Sequence, residues 1–444
     1  MSEAKQEIKK LSEILELSNL TIPPYQRPYK WKAENVTQLL DDIFEHIITK
    51  EKKYRIGSLI VHDDVKKDNG EGARKLNIVD GQQRLTTISI LLFHLKYENV
   101  LLLTQNYKHK ISKDNITYNS RLIQNWLKKI SDIENFKNQL LEKSEFVLFT
   151  VYDQDEAFQL FDSQNARGKS LEPYDLLKAF HLREMEFDSE EDKANAVARW
   201  EESVDNGTLK PILANHLFKI RKWVRNELKY NFTKDNIDEF KGISLYQKQQ
   251  YPYETSLRML DGFVENAQND KFLKNHHIAQ TFPFSITMPI INGKRFFEYI
   301  DYYIQLHKSL FPENDHDIKD STFKKFYWDY TRNYHGAGRT GDWKVRNLYE
   351  NLLLLYRDKF GEHDFKSFYT AFYKAVYTIR CNNKAIRVES ILNSKERKIL
   401  QEINESITPQ NLKYHQYFNY KITEPKNGMA SGLGFIKKYI NNEQ

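Results

Sequence analysis

Cysteine is almost missing from this chain: Cys381 is the only one in 444 residues. Disulfides within the chain and cysteine-rich zinc sites are thereby excluded. Long apolar runs are missing too. Ile88 to Phe93, the longest near the start of the chain, falls far short of the roughly 20 residues a bilayer-spanning helix needs. Met1 to Lys10 is polar and lacks the apolar segment of a secretory signal. There is no glycine-rich Walker loop, no HExxH, no Ser/His/Asp order that suggests a triad, and no internal repeat or low-complexity tract. With a mean hydropathy of −0.71 and 29% charged residues, these absences lead us to expect a soluble, cytoplasmic protein without a membrane partner. The net charge of +6 is compatible with nucleic-acid binding without requiring it, since a basic patch matters more than the sum.

Aromatic residues are abundant at 14%, with 27 Tyr and 27 Phe. Most are expected in the core, a few being available to stack on bases. The pattern along the chain divides it in three. Residues 1–185 mix an amphipathic helix at 33–49 with strand-like runs at 54–62, 75–79 and 146–151, which predicts an α+β domain. The polar helical stretch between about 115 and 143 reads as inserted. Residues 186–410 repeat apolar positions at three- and four-residue steps, at 211–230, 253–268, 295–310, 345–359 and 365–379, which predicts a mostly α-helical domain. A tail, 411–444, carries Gly428, Gly432 and Gly434 and ends in a short helix.

The most informative stretch is Ile78-Val79-Asp80-Gly81-Gln82-Gln83-Arg84-Leu85-Thr86-Thr87. An apolar strand stops at Asp80-Gly81, and a helix with Leu85, Ile88, Leu91, Leu92 and Leu95 on one face begins. The free N–H groups of a helix start suit an anion. Arg84 adds a fork of donors shaped for phosphate, and Gly81 lets a ligand approach the backbone. Asp80 could hold a metal ion or a water, and Gln82 and Gln83 could hydrogen-bond a base, a ribose or an attacking water. The plainer reading is a capped helix with an Asp80–Arg84 pair.

Asp80-Gly81-Gln82-Gln83-Arg84 resembles the signature of the DGQQR family, the N-terminal domain of GmrSD-type, modification-dependent restriction and anti-phage defence proteins. Two further segments resemble that family in the same order. Upstream stands Ile22-Pro23-Pro24-Tyr25-Gln26-Arg27-Pro28-Tyr29-Lys30-Trp31. Downstream stands Phe161-Asp162-Ser163-Gln164-Asn165-Ala166-Arg167-Gly168-Lys169-Ser170-Leu171, followed by Asp175-Leu176-Leu177-Lys178. The resemblance covers residues 22 to 180. It implies a ParB/sulfiredoxin-like core, a bound nucleoside triphosphate with Mg²⁺, and hydrolysis coupled to foreign DNA, with the base of the nucleotide undetermined. On it, Asp80 would position metal or water, Gln82 and Gln83 would orient the nucleotide or the water, and Arg84 would neutralise phosphate. Gln26, Arg27, Gly81, Asn165, Arg167 and Lys169 would complete the pocket.

In the helical half, Phe323 to Arg346 is the best nucleic-acid candidate. Lys324, Lys325, Arg332, His335, Arg339, Lys344 and Arg346 alternate with Phe323, Phe326, Tyr327, Trp328, Tyr330, Tyr334 and Trp343 around the glycine-bearing loop 335–341. The same pattern also fits buried aromatics beneath a solvated basic face. GmrSD-type proteins often end in an HNH nuclease with a His-Ile-Xaa-Pro element. Here His277-Ile278 continues as Ala279-Gln280, and the adjacent His276 and His277 are poorly spaced for one metal. Autonomous cleavage is therefore not expected, and a separate HNH subunit is the implied partner. Two alternatives stay open: a non-catalytic, nucleotide-switched adaptor for such a nuclease, or a DNA-nicking activity without a recognisable motif.

Overall fold

The computed structural model describes residues 5–413 apart from 18, 24–25, 27, 65–74, 99, 101, 106, 108–109, 153–171, 186–187, 271–280, 319–320 and 384, and apart from the side chains of 64, 190 and 269. The chain forms two compact units, Met1–Leu176 with Glu190–Ala198, and Leu177–Ser189 with Arg199–Gln444.

In the first unit the described strands are β1 (Lys5–Lys10), β2 (Leu20–Thr21), β3 (Tyr54–Asp64), β4 (Lys75–Asp80) and β5 (Ser144–Val151). They form one mixed sheet in the order β1-β5-β3-β4-β2. β1 runs antiparallel to β5, β5 parallel to β3, β3 antiparallel to β4 and β4 parallel to β2. The helices are α1 (Leu11–Leu15), α2 (Ala33–Phe44, continued by a π-helical turn to Thr49), α3 (Gln82–His94), α4 (Lys110–Leu127) and α5 (Ile133–Lys143). Alternation along the strands gives the sheet two faces. Leu59, Val61, Ile78, Phe146 and Leu148 join the helices in a large core. Ile60, Val79, Phe149 and Val151 form a small cluster of their own.

Three expectations change here. The stretch 115–143 is helical, as expected, but lies in two helices that belong to the core rather than standing apart from it. Trp126 of α4 packs on Phe44 and Phe136 and donates from its indole to Asp41, so both helices close the core. α3 is buried on more than one face, because Thr86, Thr87 and Ser89 are as enclosed as Leu85 and Ile88. The hydroxyls of Thr87 and Ser89 bond back to Gln83 and Leu85 carbonyls, which lets polar residues sit inside. β1 and β2 are further elements the pattern does not announce, because one is charged and the other two residues long.

The second unit is mostly helical. It contains most of α6 (Pro173–Arg183) and the end of α7 (Glu190–Asp205). A π-helical turn, Pro211–Leu217, runs into α8 (Phe218–Val224). Then come α9 (Glu254–Asn269), α10 (Lys294–Leu310), α11 (Thr322–Tyr327), α12 (Thr340–Phe360), α13 (Phe365–Asn382), α14 (Val388–Leu392), α15 (Ile399–Glu405) and α16 (Pro409–Lys413). The long pair α12 and α13 packs through rings: Tyr356 stacks on Phe368 at 4.5 Å, and Tyr349 meets Tyr373 edge-on at 5.8 Å. No described helix of the chain is long and apolar enough to cross a membrane.

Asp358 of α12 lies inside this core, accepting from the Ile286 N–H at 2.8 Å and from the Tyr303 hydroxyl. Burial pushes its carboxyl up to about 6, against the pull of those hydrogen bonds. A carboxyl whose pKa is raised on folding binds its proton more tightly in the folded chain. Its contribution to stability is therefore fully present below the unfolded value near 3.8 and is lost as pH rises through about 6. Between pH 4.5 and 7, wild type should lose about 2 kcal/mol of stability relative to Asp358→Asn. Urea unfolding of both proteins at the two pH values checks this, and parallel curves would contradict it.

Candidate functional site

The site is a corner where β3, the end of β4 and the start of α3 meet. β4 ends at Asp80, and Gly81 turns the chain with φ +92°, a left-handed conformation that favours glycine. A Cβ on Gly81 would stand 3.0 Å from the Ser58 carbonyl oxygen and 3.0 Å from Leu59 Cδ1, so the turn is also pressed against β3. α3 then starts at Gln82.

Arg84, in the first turn of α3, folds back over this corner. Its Nη2 donates to the Ser58 carbonyl at 3.0 Å and to Asp80 Oδ2 at 3.1 Å. The Ser58 hydroxyl donates to that same Asp80 oxygen at 3.2 Å. The guanidinium lies directly on Gly57, where the β3–β5 register shifts and φ is +144°. A Cβ at Gly57 would fall 1.8 Å from Arg84 Nη1. The pair remains partly open, with the Asp80 side chain 19% and that of Arg84 24% exposed. Nε and Nη1 of Arg84 make no hydrogen bond to a described residue. Gln82 is only 5% exposed, and its amide likewise finds no partner among the described residues.

The other two glutamines are committed to backbone. Gln83 accepts from the Lys30 N–H at 2.9 Å and donates to the Pro28 carbonyl at 3.1 Å. Gln26 donates to the Ile78 and Val79 carbonyls at 3.0 and 2.7 Å. Backbone groups thus engage both ends of the Gln83 amide and the nitrogen of Gln26, which gives these side chains an anchoring role, while Gln26 Oε1 has no described partner. Tyr29 completes the clamp: fully buried, its hydroxyl sits 2.8 Å from Thr87 Oγ1 and accepts from Asn119 at 3.1 Å. Asn115 and Asn119 of α4 also hold the Tyr29 and Trp31 carbonyls.

Arg27, Asn165, Arg167 and Lys169 lie outside the described residues, as do His276 and His277. Asp175 accepts from the Glu172 N–H at 3.1 Å at the start of α6. Lys178 is buried in an ion pair with Glu201 at 2.6 Å, a partner the sequence does not suggest. Gly57, Ser58, Asn115 and Asn119 are the site residues that sequence reading misses. Of these only Gly57 carries a signal, a glycine inside an apolar strand.

In the second unit, the basic segment divides. Lys325 and His335 are exposed, and Lys324, Arg332, Arg339 and Lys344 are partly exposed. Arg346 is turned inward: it donates to the Thr331 and Ala337 carbonyls and faces Glu350, so the expectation that it contacts DNA is corrected by burial. The rings are mainly interior. Phe323 packs on Phe365 and Tyr369, Phe326 on Tyr369 and Tyr373, and the Tyr334 hydroxyl donates to Asp342. Trp343 covers Lys219, whose amine burial pushes down to about 7. Asp342 pairs with Arg380 at 3.1 Å, which fixes the end of loop 335–341.

Gly57→Ala tests the corner. Strain at a positive φ together with the clash on Arg84 should cost about 1–3 kcal/mol in urea unfolding. Gly262→Ala, at an open helical position, should be neutral or stabilising by up to about 1 kcal/mol. Equal effects would mean that Arg84 does not need the Gly57 cradle.

No curated protein matches the chain. Residues 10–182 match the family described as GmrSD restriction endonuclease, N-terminal domain. That span contains the Asp80–Arg84 corner, and the match associates the chain with restriction systems and hence with DNA. Residues 192–429, more than half of the chain, match a family of unknown function, DUF7834. The chain therefore belongs to the DUF7834 family and carries, ahead of that region, the N-terminal domain of GmrSD-type restriction proteins.

Proposed function

We propose that the first unit binds and hydrolyses a nucleoside triphosphate, and that the chain couples this to recognition of foreign DNA, or to its cleavage by a partner, in a restriction or anti-phage system. The observation that carries the reading is the corner itself: an arginine fixed by Asp80, Ser58 and Gly57 keeps Nε and Nη1 without a described partner, two positions along the helix from Gln82, whose amide has no described partner either. Arg84 binds the phosphates and neutralises the charge that grows as the bond to the leaving phosphate oxygen breaks. Gln82 holds the attacking water or the nucleotide. Gln26, Gln83 and Tyr29 keep the corner rigid. The ParB/sulfiredoxin-like reading of this unit belongs to the same proposal and is supported by its mixed sheet packed with helices.

Asp80 fits a limited metal role. Its Oδ2 is taken by Arg84 and Ser58, and Oδ1 has no described partner. One open carboxylate oxygen suits Mg²⁺ carried in on phosphates, which commonly asks for only one or two protein carboxylates. When bound, that ion supplies positive charge to the phosphates. The exposed Lys325 and His335, with the partly exposed Lys324, Arg332, Arg339 and Lys344, form the surface proposed to meet the DNA backbone. The Asp80–Arg84 pair also favours a second reading. With Oδ2 committed to Arg84 and Ser58, Asp80 is occupied in holding the corner rather than in activating a water, as befits a nucleotide-switched adaptor for a separate HNH nuclease.

Phosphate release from ATP, GTP, CTP and UTP with Mg²⁺, measured for wild type and Arg84→Ala with and without plasmid, separates these readings. Hydrolysis requires release that falls about 10²–10³-fold in Arg84→Ala. Nucleotide binding without release, weakened in the variant, identifies the adaptor. On the same plasmid, Lys324→Glu with Lys325→Glu should lower retention and flatten its salt dependence. Unchanged retention would remove that surface from the proposal.

A further inference from the structure

Inside the helical unit, three side chains from distant parts of the sequence converge. His216 comes from the π-helical turn Pro211–Leu217, His307 from the last turn of α10 and Glu350 from the middle of α12. Each offers one ligating atom, and these atoms all lie within 4.8 Å of one another. His216 and Glu350 are buried and His307 is partly buried.

The surroundings hold two of the three groups. The Asn351 amide nitrogen donates to the Asn215 carbonyl at 3.1 Å, so its oxygen must accept. That oxygen stands 2.8 Å from His216 Nδ1, which therefore carries the hydrogen and leaves Nε2 with a lone pair. A histidine held through one nitrogen by an amide oxygen is oriented as metal-binding imidazoles are by their outer partners. Glu350 Oε1 accepts from the Tyr327 hydroxyl and faces Arg346 Nε at 3.6 Å. Oε2 has no hydrogen-bond partner among the described residues, and the His307 ring has none either. The two imidazoles lie with centroids 4.6 Å apart.

The backbone adds an independent sign. π-helical turns are rare and concentrate at functional sites. One carries His216, and a second, Trp328–Arg332, directly follows the Tyr327 that holds Glu350.

We propose that His216, His307 and Glu350 form a binding site for a divalent transition metal of the Zn²⁺ class. Two imidazoles and one carboxylate are a donor set that zinc accepts, with positions left for water. Hard cations are disfavoured: Ca²⁺ and Mg²⁺ want several carboxylate or carbonyl oxygens, and this cluster has one carboxylate. The charges facing it are Arg346 on Oε1, Arg332 and Lys308 toward His307, and Lys219, which is tied to Asn347 Oδ1 at 2.8 Å. Their repulsion opposes any divalent ion, and most of all one held mainly by charge, so the affinity of the site has to come from the imidazole nitrogens. Bound there, the ion staples the Pro211–Leu217 turn, α10 and α12 together. This site is independent of the nucleotide corner.

The test uses the full chain, stripped with a chelator, dialysed and titrated with Co²⁺ and then Zn²⁺. Wild type should take up one Co²⁺ with the intense visible absorption of a low-coordinate site, lose that band when Zn²⁺ is added, and melt several degrees higher with Zn²⁺. His307→Ala and Glu350→Gln should lose the band and the melting shift. His316→Ala, at an exposed position, and Arg84→Ala should keep both. If Glu350→Gln proves unfolded by circular dichroism, the partly buried His307→Ala decides. A folded wild type without the band, or a band that survives in His307→Ala, overturns the site whatever the phosphate-release assay gives.

Discussion

The first unit depends on one ion pair held against a bare stretch of backbone. Arg84 reaches back from α3 to Asp80 at the end of β4 and to the Ser58 carbonyl in β3, so a single guanidinium ties three elements. This works only because Gly57 offers no side chain and Gly81 turns the chain tightly enough to bring α3 close. A partly exposed i,i+4 pair of this kind contributes little to stability by itself. Its consequence lies in geometry: Nη2 is held at two oxygens while Nε and Nη1 have no described partner, the donors that the proposed function gives to an anion. Pre-set donors avoid reorganisation when charge develops, which is where such groups act most strongly. The clamp of Gln26, Gln83 and Tyr29 applies the same economy to the opening segment, since hydrogen bonds to backbone hold it without large apolar side chains.

The helical unit solves a different problem. Its interior is rich in rings and in buried charge, and each described buried cation has partners. Arg295 meets Asp261, Glu265 and Glu298; Arg221 meets Glu239 and two carbonyls; Arg380 meets Asp342. Pairs of this kind add modestly to net stability, but breaking one strands a charge and is strongly destabilising. They therefore favour one packing of helices over its alternatives. The His216–His307–Glu350 cluster departs from that rule, because the His307 ring and one Glu350 oxygen find no hydrogen-bond partner among the described residues.

Much of this was legible in the sequence, and the exceptions have physical causes. The strand–turn–helix at Asp80–Arg84 reads directly from an apolar run, a turn pair and a new period. The long helices read from their spacing, so the mixed first unit and helical second part follow. Long-range partners were not legible. Nothing local says that Gly57 makes room for Arg84, that Asn119 supports Tyr29, or that Lys178 pairs with Glu201, because these contacts join segments far apart in the chain. Arg346 misled for the same reason: a basic residue in a basic segment looks solvated until the helix shows which way it points.

The central claim is that Arg84 is the phosphate contact, and affinity measures it more directly than turnover. Fluorescently labelled nucleoside triphosphates titrated into wild type and Arg84→Lys keep the charge constant and remove only the planar fork. Loss of a charge-assisted, forked contact of about 1.5–3 kcal/mol should weaken binding about tenfold or more in Arg84→Lys. Equal affinity in the two proteins, both folded, would contradict the assignment of this corner as the nucleotide site.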